Sequence, residues 1–243
     1  MRKKKIQPSV GLVERKVATK YPALSYTAIK MYETCPYRYY QEKILKTVPY
    51  VQTEAAALGD RIHKELENFV LNEGNYKLSD EAAKYEKLVR GLLALPGKKY
   101  VETKMAMDWK VKKVEYFGKN VWIRGQFDFM SLDGDAAKMV DYKTGSHRYP
   151  DVGQLELMSA LAFLHFPELN KVDASLLFIN HNAIAKASFE RAKMPAYIDK
   201  WMNRSIPIVQ ATELREWPAK RNNLCAWCPI TDCRFHPGER KGV

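Results

Sequence analysis

The 243-residue sequence predicts an α/β fold in which a mixed β-sheet is flanked by helices. Residues 121–143 contain two β-prone limbs joined by an Asp-Gly pair, which predicts an antiparallel hairpin. Segments with apolar residues at helical spacing lie on both sides of this hairpin in the chain. The length and the 46% hydrophobic content suit one domain with a sizeable core. We therefore assign residues 21–243 to one domain that follows a basic arm, residues 1–20.

The arm carries seven Lys or Arg and one Glu, so it holds +6 of the formal net charge of +12. We expect it to be flexible and to grip phosphates through counterion release, or else to be a solvated tail without a specific role. The overall charge favours a polyanionic partner but does not distinguish DNA from RNA or an anionic membrane. No apolar run could span a bilayer and no signal-peptide core is present, so we expect a cytoplasmic protein, in the host cytoplasm if viral.

A first helix is predicted from Leu24, with Ser25 as its N-cap, until Pro36 interrupts the pattern. The aromatic and Arg side chains of residues 37–40 could stack on bases, or could be core and rim residues. A second helix is predicted over residues 54–71, with a buried apolar stripe. His63 lies beside this stripe, and Gly59 leaves space one turn earlier, next to the imidazole, for another backbone or an ion. A lone helical His is more often a satisfied polar residue than a ligand.

The remaining elements follow from the same periodicities. Residues 80–93 predict a helix, and residues 100–106 and 111–117 predict strands that lead into the hairpin. After the hairpin, a helix places Gln154 on the same face as four apolar residues. Its amide could bond a phosphate oxygen or a base edge, or could serve as a cap or core hydrogen bond. Residues 171–181 and 184–190 predict an antiparallel strand pair, and residues 196–214 predict a closing helix.

The hairpin presents two carboxylates and a lysine. Because side chains alternate along a strand, Asp141 and Lys143 share a face about 7 Å apart, and Tyr142 points the other way. Asp128 on the neighbouring limb supplies a second carboxylate. Carboxylates that hold a hard divalent cation beside an ammonium are what metal-assisted phosphoryl chemistry requires. The alternative is an exposed strand end with Asp128 as a surface acid.

The chain has four cysteines: Cys35 far upstream, and Cys225, Cys228 and Cys233 near the end. In a cytosolic chain, a C-x-x-C pair with a third cysteine nearby indicates metal ligation rather than disulfides. Zinc is the generic occupant of such a site, and unligated thiols are a further alternative.

The segment G-Q-F-D-F at Asp128, followed by V-D-Y-K-T-G, resembles the PD-(D/E)XK nuclease superfamily, and within it the RecB-type nuclease domain. That branch also carries a G-x-x-x-H helix motif, matched by Gly59 to His63, and a glutamine that opens a helix, matched by Gln154. The segment from Leu24 to Tyr40 is similar to the start of such domains. Met158 departs from the pattern, since many relatives have a tyrosine there.

The resemblance implies a restriction-endonuclease-like core with a metal site of His63, Asp128, Asp141 and the carbonyl of Tyr142. Asp128, Asp141 and Lys143 would be catalytic, and one or two Mg²⁺ or Mn²⁺ ions would bind the scissile phosphate. Gln154 would contact the substrate. Many relatives have a glutamate shortly before the G-x-x-D strand, so Glu102 is an additional candidate for the site.

One early cysteine and a late C-x-x-C-x(n)-C resemble the iron-sulfur nucleases, such as the AddB nuclease domain and the CRISPR spacer-acquisition nucleases. The resemblance implies a 4Fe-4S cluster on all four cysteines, with zinc as the alternative. Here the last gap of four residues is slightly shorter than the common spacing. Such a cluster would join N- and C-terminal elements of the domain.

The expected function is a metal-dependent DNA nuclease. We expect an exonuclease that acts on DNA ends or single strands in recombination, repair or phage DNA processing, and that leaves 5′-phosphates and 3′-hydroxyls. A helicase or recombination protein is the expected partner, and no membrane is expected. The alternative is a non-catalytic DNA-binding or assembly module with the same fold.

Overall fold

The computed structural model describes residues 21–49 and 51–238, so the basic arm of residues 1–20 lies outside the described residues. A five-stranded sheet forms its centre, in the order β1-β2-β3-β4-β5. The strands are β1 (Lys98–Met107), β2 (Ile123–Asp133), β3 (Ala136–Lys143), β4 (Lys171–Phe178) and β5 (Ala183–Glu190). Strands β3 and β4 are parallel and the other neighbours are antiparallel, so the mixed sheet is confirmed.

Helices flank the sheet, as the sequence predicts. The α-helices of the described residues are α1 (Tyr26–Thr34), α2 (Pro36–Tyr39), α3 (Glu54–Leu71), α4 (Asp80–Ala83), α5 (Glu86–Leu93), α6 (Gly153–His165) and α7 (Met194–Leu214). Helix α3 has the predicted bounds, and Ser25 caps α1 as predicted, its Oγ accepting from the backbone N–H of Ala28 at 3.2 Å. None of these helices is both long and apolar enough to cross a bilayer.

The central hairpin is confirmed. Asp133 pairs with Ala136 across a two-residue turn, and Gly134 has a φ of +58°, which glycine adopts without steric cost. The next connection cannot be a hairpin, because β3 and β4 are parallel and need a crossover. Helix α6 supplies it and packs across one face of the sheet.

Each face of the sheet has its own apolar core. The core on the face covered by α6 is the larger of the two, and its fully buried side chains include Trp122, Phe163 and Trp201. On the other face, Phe69 of α3 and Val89 of α5 pack against the sheet. The central hairpin of β2 and β3 lies between these two layers.

The C-terminal part of the chain packs against α1 and α2. Arg204 of α7 forms two hydrogen bonds with the Glu33 carboxylate, at 2.6 and 2.8 Å. Trp217 stacks on Tyr40 with ring centroids 5.3 Å apart and on Tyr39 at 5.7 Å. Tyr39 is buried, so it and its neighbour pack within the protein rather than being free to stack on bases.

Two predicted elements are wrong. Residues 111–117 form a loop instead of a strand, because the Asp108 carboxylate accepts two backbone N–H groups, at 2.9 and 2.8 Å, and folds the chain into a turn. Val111 in this turn has a φ of +58°, outside the range of regular strand geometry. Residues 80–93 form two helices instead of one. The break lies at Tyr85, whose ring is buried and whose hydroxyl donates to Asn180 at 2.5 Å.

Candidate active site

Three carboxylates occupy one row across three neighbouring strands. Glu102 of β1 lies opposite Asp128 of β2, because the residues on either side of them pair with one another. Asp128 lies opposite Asp141 of β3, one position beyond the last pair of these two strands. Like charges directly opposite one another destabilise a sheet. A row of three acids therefore indicates a site built for a cation.

The alternation of side chains along the strands is interrupted at this row. Phe127 and Met130 are three positions apart, yet both pack in the core under α6, while Phe129 packs in the core under α3. Opposite the interruption, Glu102 has a φ of +45°, a left-handed conformation that a glutamate rarely adopts. Strain of this kind clusters at functional sites, and here it directs Glu102 and Asp128 away from the regular strand geometry.

Helix α3 brings a histidine to the two acids. The Nδ1 atom of His63 lies 3.6 Å from Oδ2 of Asp128, and its ring meets that of Tyr142 edge-on with centroids 5.6 Å apart. Ligand-type atoms of His63, Glu102 and Asp128 all lie within 4.8 Å of one another. The Asp128 carboxylate also accepts the backbone N–H of Tyr142 at 2.6 Å, which fixes it between β2 and β3.

Asp141 belongs to a second, adjoining network. Its Oδ2 lies 2.5 Å from Nζ of Lys143, and its Oδ1 accepts from the Gln154 amide at 2.8 Å. Lys143 also donates to Gln154 at 2.9 Å. The contact of Oδ2 with the ammonium is one of charge, because this buried oxygen has no partner with hydrogen-bond geometry in the part of the chain that the structure describes. A cation bound there would share this oxygen with the Lys143 ammonium.

The acids repel one another and are partly desolvated. Burial raises the pKa of Asp141 to about 6, with Lys143 opposing the shift and Asp128 adding to it. Burial and the charge of Asp128 raise the pKa of Glu102 to about 7. Burial lowers the pKa of His63, but its hydrogen bond to Asp128 and the surrounding acids shift it upward on balance. A bound cation would offset the repulsion between the acids and lower the pKa values of Asp141 and Glu102. It would not stabilise the protonated form of His63, because like charges repel.

The structure explains two glycine positions of the quoted motifs. A Cβ at Gly59 would lie 3.0 Å from Oγ1 of Thr144, so the space beside this glycine is taken by another segment of the chain, one of the two predicted occupants, and not by an ion. Gly59 thus lets α3 approach the chain just after Lys143. Gly125 accommodates Met158, whose side chain occupies the place where a Cβ would stand. Position 158 therefore packs against the sheet in this chain.

The four cysteines line one cavity between the α1–α2 junction and the C-terminal segment. The backbone N–H of Lys220 donates to Cys35 at 3.4 Å, and that of Asn222 donates to Cys225 at 3.3 Å. Burial raises the pKa of Cys228, and the nearby Cys35 and Cys233 raise it further. No disulfide is formed, and among the described residues no three of these sulfurs lie within 4.8 Å of one another.

A model of the PD-(D/E)XK nuclease superfamily matches residues 23–233, which include every candidate residue of both sites. The chain belongs to this superfamily. The observed sheet, with its helices on both faces, agrees with the restriction-endonuclease-like core that the sequence predicts.

Two solved structures are similar to this superfamily member, each at 13% sequence identity. The protein SSO0001 gives a TM-score of 0.45, with 93% of this chain and 92% of that chain covered. A provisionally named exonuclease from Eubacterium rectale gives 0.48, with 100% and 97% covered. No curated protein matches the chain. The family assignment therefore rests on the family model.

A divalent cation, which nucleases of this superfamily use, fits the residues present. The donor set is three carboxylates and one imidazole, and Mg²⁺ or Mn²⁺ accepts such ligands. The row of like charges and a buried oxygen of Asp141 without a hydrogen bond of good geometry are two observations that a cation would explain.

Gln126 is a site residue that the sequence analysis did not assign. Its amide donates to the Glu102 carboxylate and so holds it toward Asp128. The available signal was its place two positions before Asp128 on the same strand, within the quoted G-Q-F-D-F segment.

Proposed function

We propose that the chain is a divalent-metal-dependent deoxyribonuclease. The observation that carries the proposal is the group of His63, Glu102 and Asp128 within 4.8 Å of one another, directly beside the Asp141–Lys143 pair. Membership of a nuclease superfamily supports phosphodiester hydrolysis as the reaction of this site. The basic arm and the net charge of +12 support a polyanionic substrate.

In this proposal His63, Asp128, Asp141 and the backbone carbonyl of Tyr142 hold the metal, and Glu102 is a further carboxylate ligand. A cation bound there would offset charge on the scissile phosphate and lower the pKa of an attacking water. Asp128 is already fixed by the N–H of Tyr142, so its position does not depend on the cation.

Lys143 and Gln154 have positioning roles. The Lys143 ammonium is held at 2.5 Å by Asp141 and at 2.9 Å by the amide oxygen of Gln154, which leaves it oriented toward the acids. From there it can donate to the attacking water or to a phosphate oxygen. Gln154 can exchange its bond with Lys143 for one to the substrate. In-line attack of water then breaks the bond to the 3′ oxygen and leaves a 5′-phosphate and a 3′-hydroxyl.

We infer further that the enzyme is an exonuclease acting on DNA ends or single strands, in recombination, repair or phage DNA processing, with a helicase or recombination protein as its partner. The resemblance of the motifs to RecB-type nuclease domains supports this finer assignment.

The deciding experiment is digestion of end-labelled linear DNA and circular DNA with Mg²⁺, with Mn²⁺ and with EDTA. Loss of linear DNA with circular DNA intact is the expected result. Cleavage of circular DNA would replace the exonuclease assignment by an endonuclease. Absence of cleavage with either metal, in protein that still binds DNA, would favour the non-catalytic binding module.

We also propose that the four cysteines hold a 4Fe-4S cluster. Their arrangement around one cavity and the N–H groups directed at two of the sulfurs support a thiolate-bound group. Tetrahedral zinc, with Zn–S bonds of about 2.3 Å, would hold sulfurs about 3.8 Å apart. A cluster holds its thiolates farther apart because four irons lie between them, and metal analysis distinguishes the two.

A further inference from the structure

Cationic and aromatic side chains form a strip on the sheet beside the metal-ligand group. We call it the β1–β2 strip and define it as Lys104, Tyr116, Phe117 and Arg124. Tyr116 and Phe117 meet edge-on with ring centroids 4.9 Å apart. Arg124 lies over both rings, at 4.8 and 5.5 Å, and Lys104 lies at 5.7 and 5.5 Å from them. The nuclease chemistry proposed above uses none of these four residues.

The strip lies on the same side of the sheet as the metal-ligand group. Gly125 and Phe127 face α6, so the alternate residues Arg124 and Gln126 face away from that helix. Gln126 bonds to Glu102, which places the acid on this side. Lys104 pairs with Gln126 across the strands and is exposed.

The spacing suits a nucleic-acid strand. Arg124 and Asp128 are four residues apart on β2, or about 14 Å at the rise of a β-strand. One strand of B-form DNA places a phosphate about every 3.4 Å of axis, so this distance spans about four phosphates, and fewer in an extended strand. A strand cleaved at the metal site would therefore reach the β1–β2 strip within a few nucleotides.

The loop that carries the aromatic pair is fixed at several points. Asp108 folds its start, Trp109 stacks on Trp122 at 5.0 Å, and Arg124 donates to the Tyr116 carbonyl at 3.2 Å. Phe117 is nonetheless 77% exposed. An aromatic ring held outward by a rigid loop can receive a base with little loss of conformational entropy.

We propose that the β1–β2 strip binds single-stranded DNA that leads into the active site, with Phe117 stacking on a base and Lys104 and Arg124 contacting phosphates. The proposal rests on the nuclease function proposed above and specifies its substrate. Stacking needs an unpaired base with a free face, which a duplex does not offer. Cations alone would bind both forms of DNA, so the exposed ring is what selects the single strand.

The test measures binding of a labelled single-stranded oligonucleotide and of a duplex of equal length, in EDTA so that no cleavage occurs. We expect Phe117→Ala to weaken single-strand binding about tenfold and to leave duplex binding within about twofold. Lys104→Gln should weaken binding of both and reduce the salt dependence. Ile184→Ala and Lys186→Gln on β5, at the opposite edge of the sheet, are matched controls that should change neither.

Cleavage assays separate this proposal from the nuclease assignment. In Mg²⁺ or Mn²⁺, Phe117→Ala should raise KM for single-stranded DNA and leave kcat unchanged. If Phe117→Ala cleaves DNA as the wild type does and binds single strands unchanged, the proposal for the β1–β2 strip is wrong and the nuclease proposal stands. Equal losses for single strand and duplex would also overturn the strip proposal. If the wild-type protein does not cleave DNA but Phe117→Ala selectively loses single-strand binding, the strip proposal stands and the nuclease proposal is wrong. Thermal melting of each variant establishes that it is folded. Lys104→Gln tests the β1–β2 strip independently of Phe117, through DNA binding and its salt dependence.

Discussion

At the scale of single residues, Asp128 is the side chain on which the site depends most. It accepts the Tyr142 N–H, contacts His63, and lies in the row between Glu102 and Asp141. One carboxylate therefore links two strands, a helix and the proposed metal. Asp141 in contrast has one oxygen occupied by Gln154 and one without a hydrogen bond.

We expect Asp141→Ala to lower the cleavage rate by at least about 1,000-fold, equivalent to about 4 kcal/mol of transition-state stabilisation. Removing this carboxylate takes away a proposed metal ligand and releases Lys143, while DNA contacts elsewhere remain. Single-turnover cleavage and DNA binding measure the two effects separately. Asp173→Ala, a partly exposed acid on β4 outside the site, is the matched control. Near-normal turnover of folded Asp141→Ala protein would remove Asp141 from the active site.

The raised pKa of Glu102 predicts that the stability of the metal-free protein depends on pH. This pKa rises from an ordinary 4.5 to about 7, so the folded state binds the proton more tightly than the unfolded state. Stability from this group is present below about 4.5 and is lost as the pH rises through about 7. In EDTA, Glu102→Gln should therefore gain stability relative to wild type between pH 5 and pH 8, roughly the window set by this shift. If the difference in Tm between the two proteins is the same at every pH in this range, Glu102 is not desolvated in the folded state.

At the scale of elements, the hairpin shows what local sequence can predict. The Asp-Gly turn and the short range of the D-x-K spacing place Asp141 and Lys143 on one face without reference to the rest of the fold. The interruption at Asp128 was not predictable in this way, because it depends on which core each neighbouring residue packs into. The same holds for Gly59, whose contact is with Thr144, far along the chain.

Residues 111–117, which lie in the loop of residues 108–120, were predicted as a strand for a related reason. Their alternation of apolar and polar residues fits a strand, but the Asp108 side chain competes for the backbone N–H groups and closes a turn. The residues that this loop presents, Tyr116 and Phe117, could be placed only after the turn and its anchor to Arg124 were seen.

The cysteine-lined cavity joins two elements that are distant in sequence, and this gives a prediction for Cys225→Ser. Anaerobically purified wild-type protein should be brown and contain about four irons per chain. A cross-link that closes a loop of this length contributes about 5 kcal/mol in the entropic model. Loss of the ligand should therefore lower iron content and lower Tm by about 10 °C.

Ile184→Ser, an exposed substitution on β5, is the control for the added hydroxyl and should change neither iron nor Tm. Colourless, folded protein with one zinc per chain would replace the cluster by zinc. The nuclease assignment would stand in that case, because none of the four cysteines is among its proposed metal ligands or catalytic residues.

At the scale of the whole molecule, sequence reasoning placed most helices, the mixed sheet and the principal acids, because their periodicities and turns are local. The family resemblance implied that cysteines from the two ends come together, but no local pattern predicts the other contacts between the two ends of the described chain. Arg204 reaches Glu33, and Trp217 reaches Tyr39, through the packing of α7 on α1. No periodicity in either segment specifies the other.

The charge of the whole chain leads to a prediction for the basic arm. Deleting residues 1–20 removes +6 of the net charge of +12. DNA affinity should fall and the slope of log affinity against log salt should become shallower by up to about 4, because fewer counterions are released from single-stranded DNA. Cleavage at saturating DNA should persist. A salt titration of binding measures the slope, and an unchanged slope would show that the arm does not contact phosphates.

The long separation between α1 and its C-terminal partners also has a consequence during synthesis. The hydrogen bonds from Arg204 to Glu33 and from Asn222 to Thr34 span 171 and 188 positions. At about 5–20 residues per second, α1 is made roughly ten to forty seconds before these partners exist. Cys35, which follows α1, must therefore remain a reduced thiol without its final neighbours for that time. A nascent chain stalled before residue 204 would contain all the acids of the active site but neither of these two hydrogen bonds to its N-terminal segment.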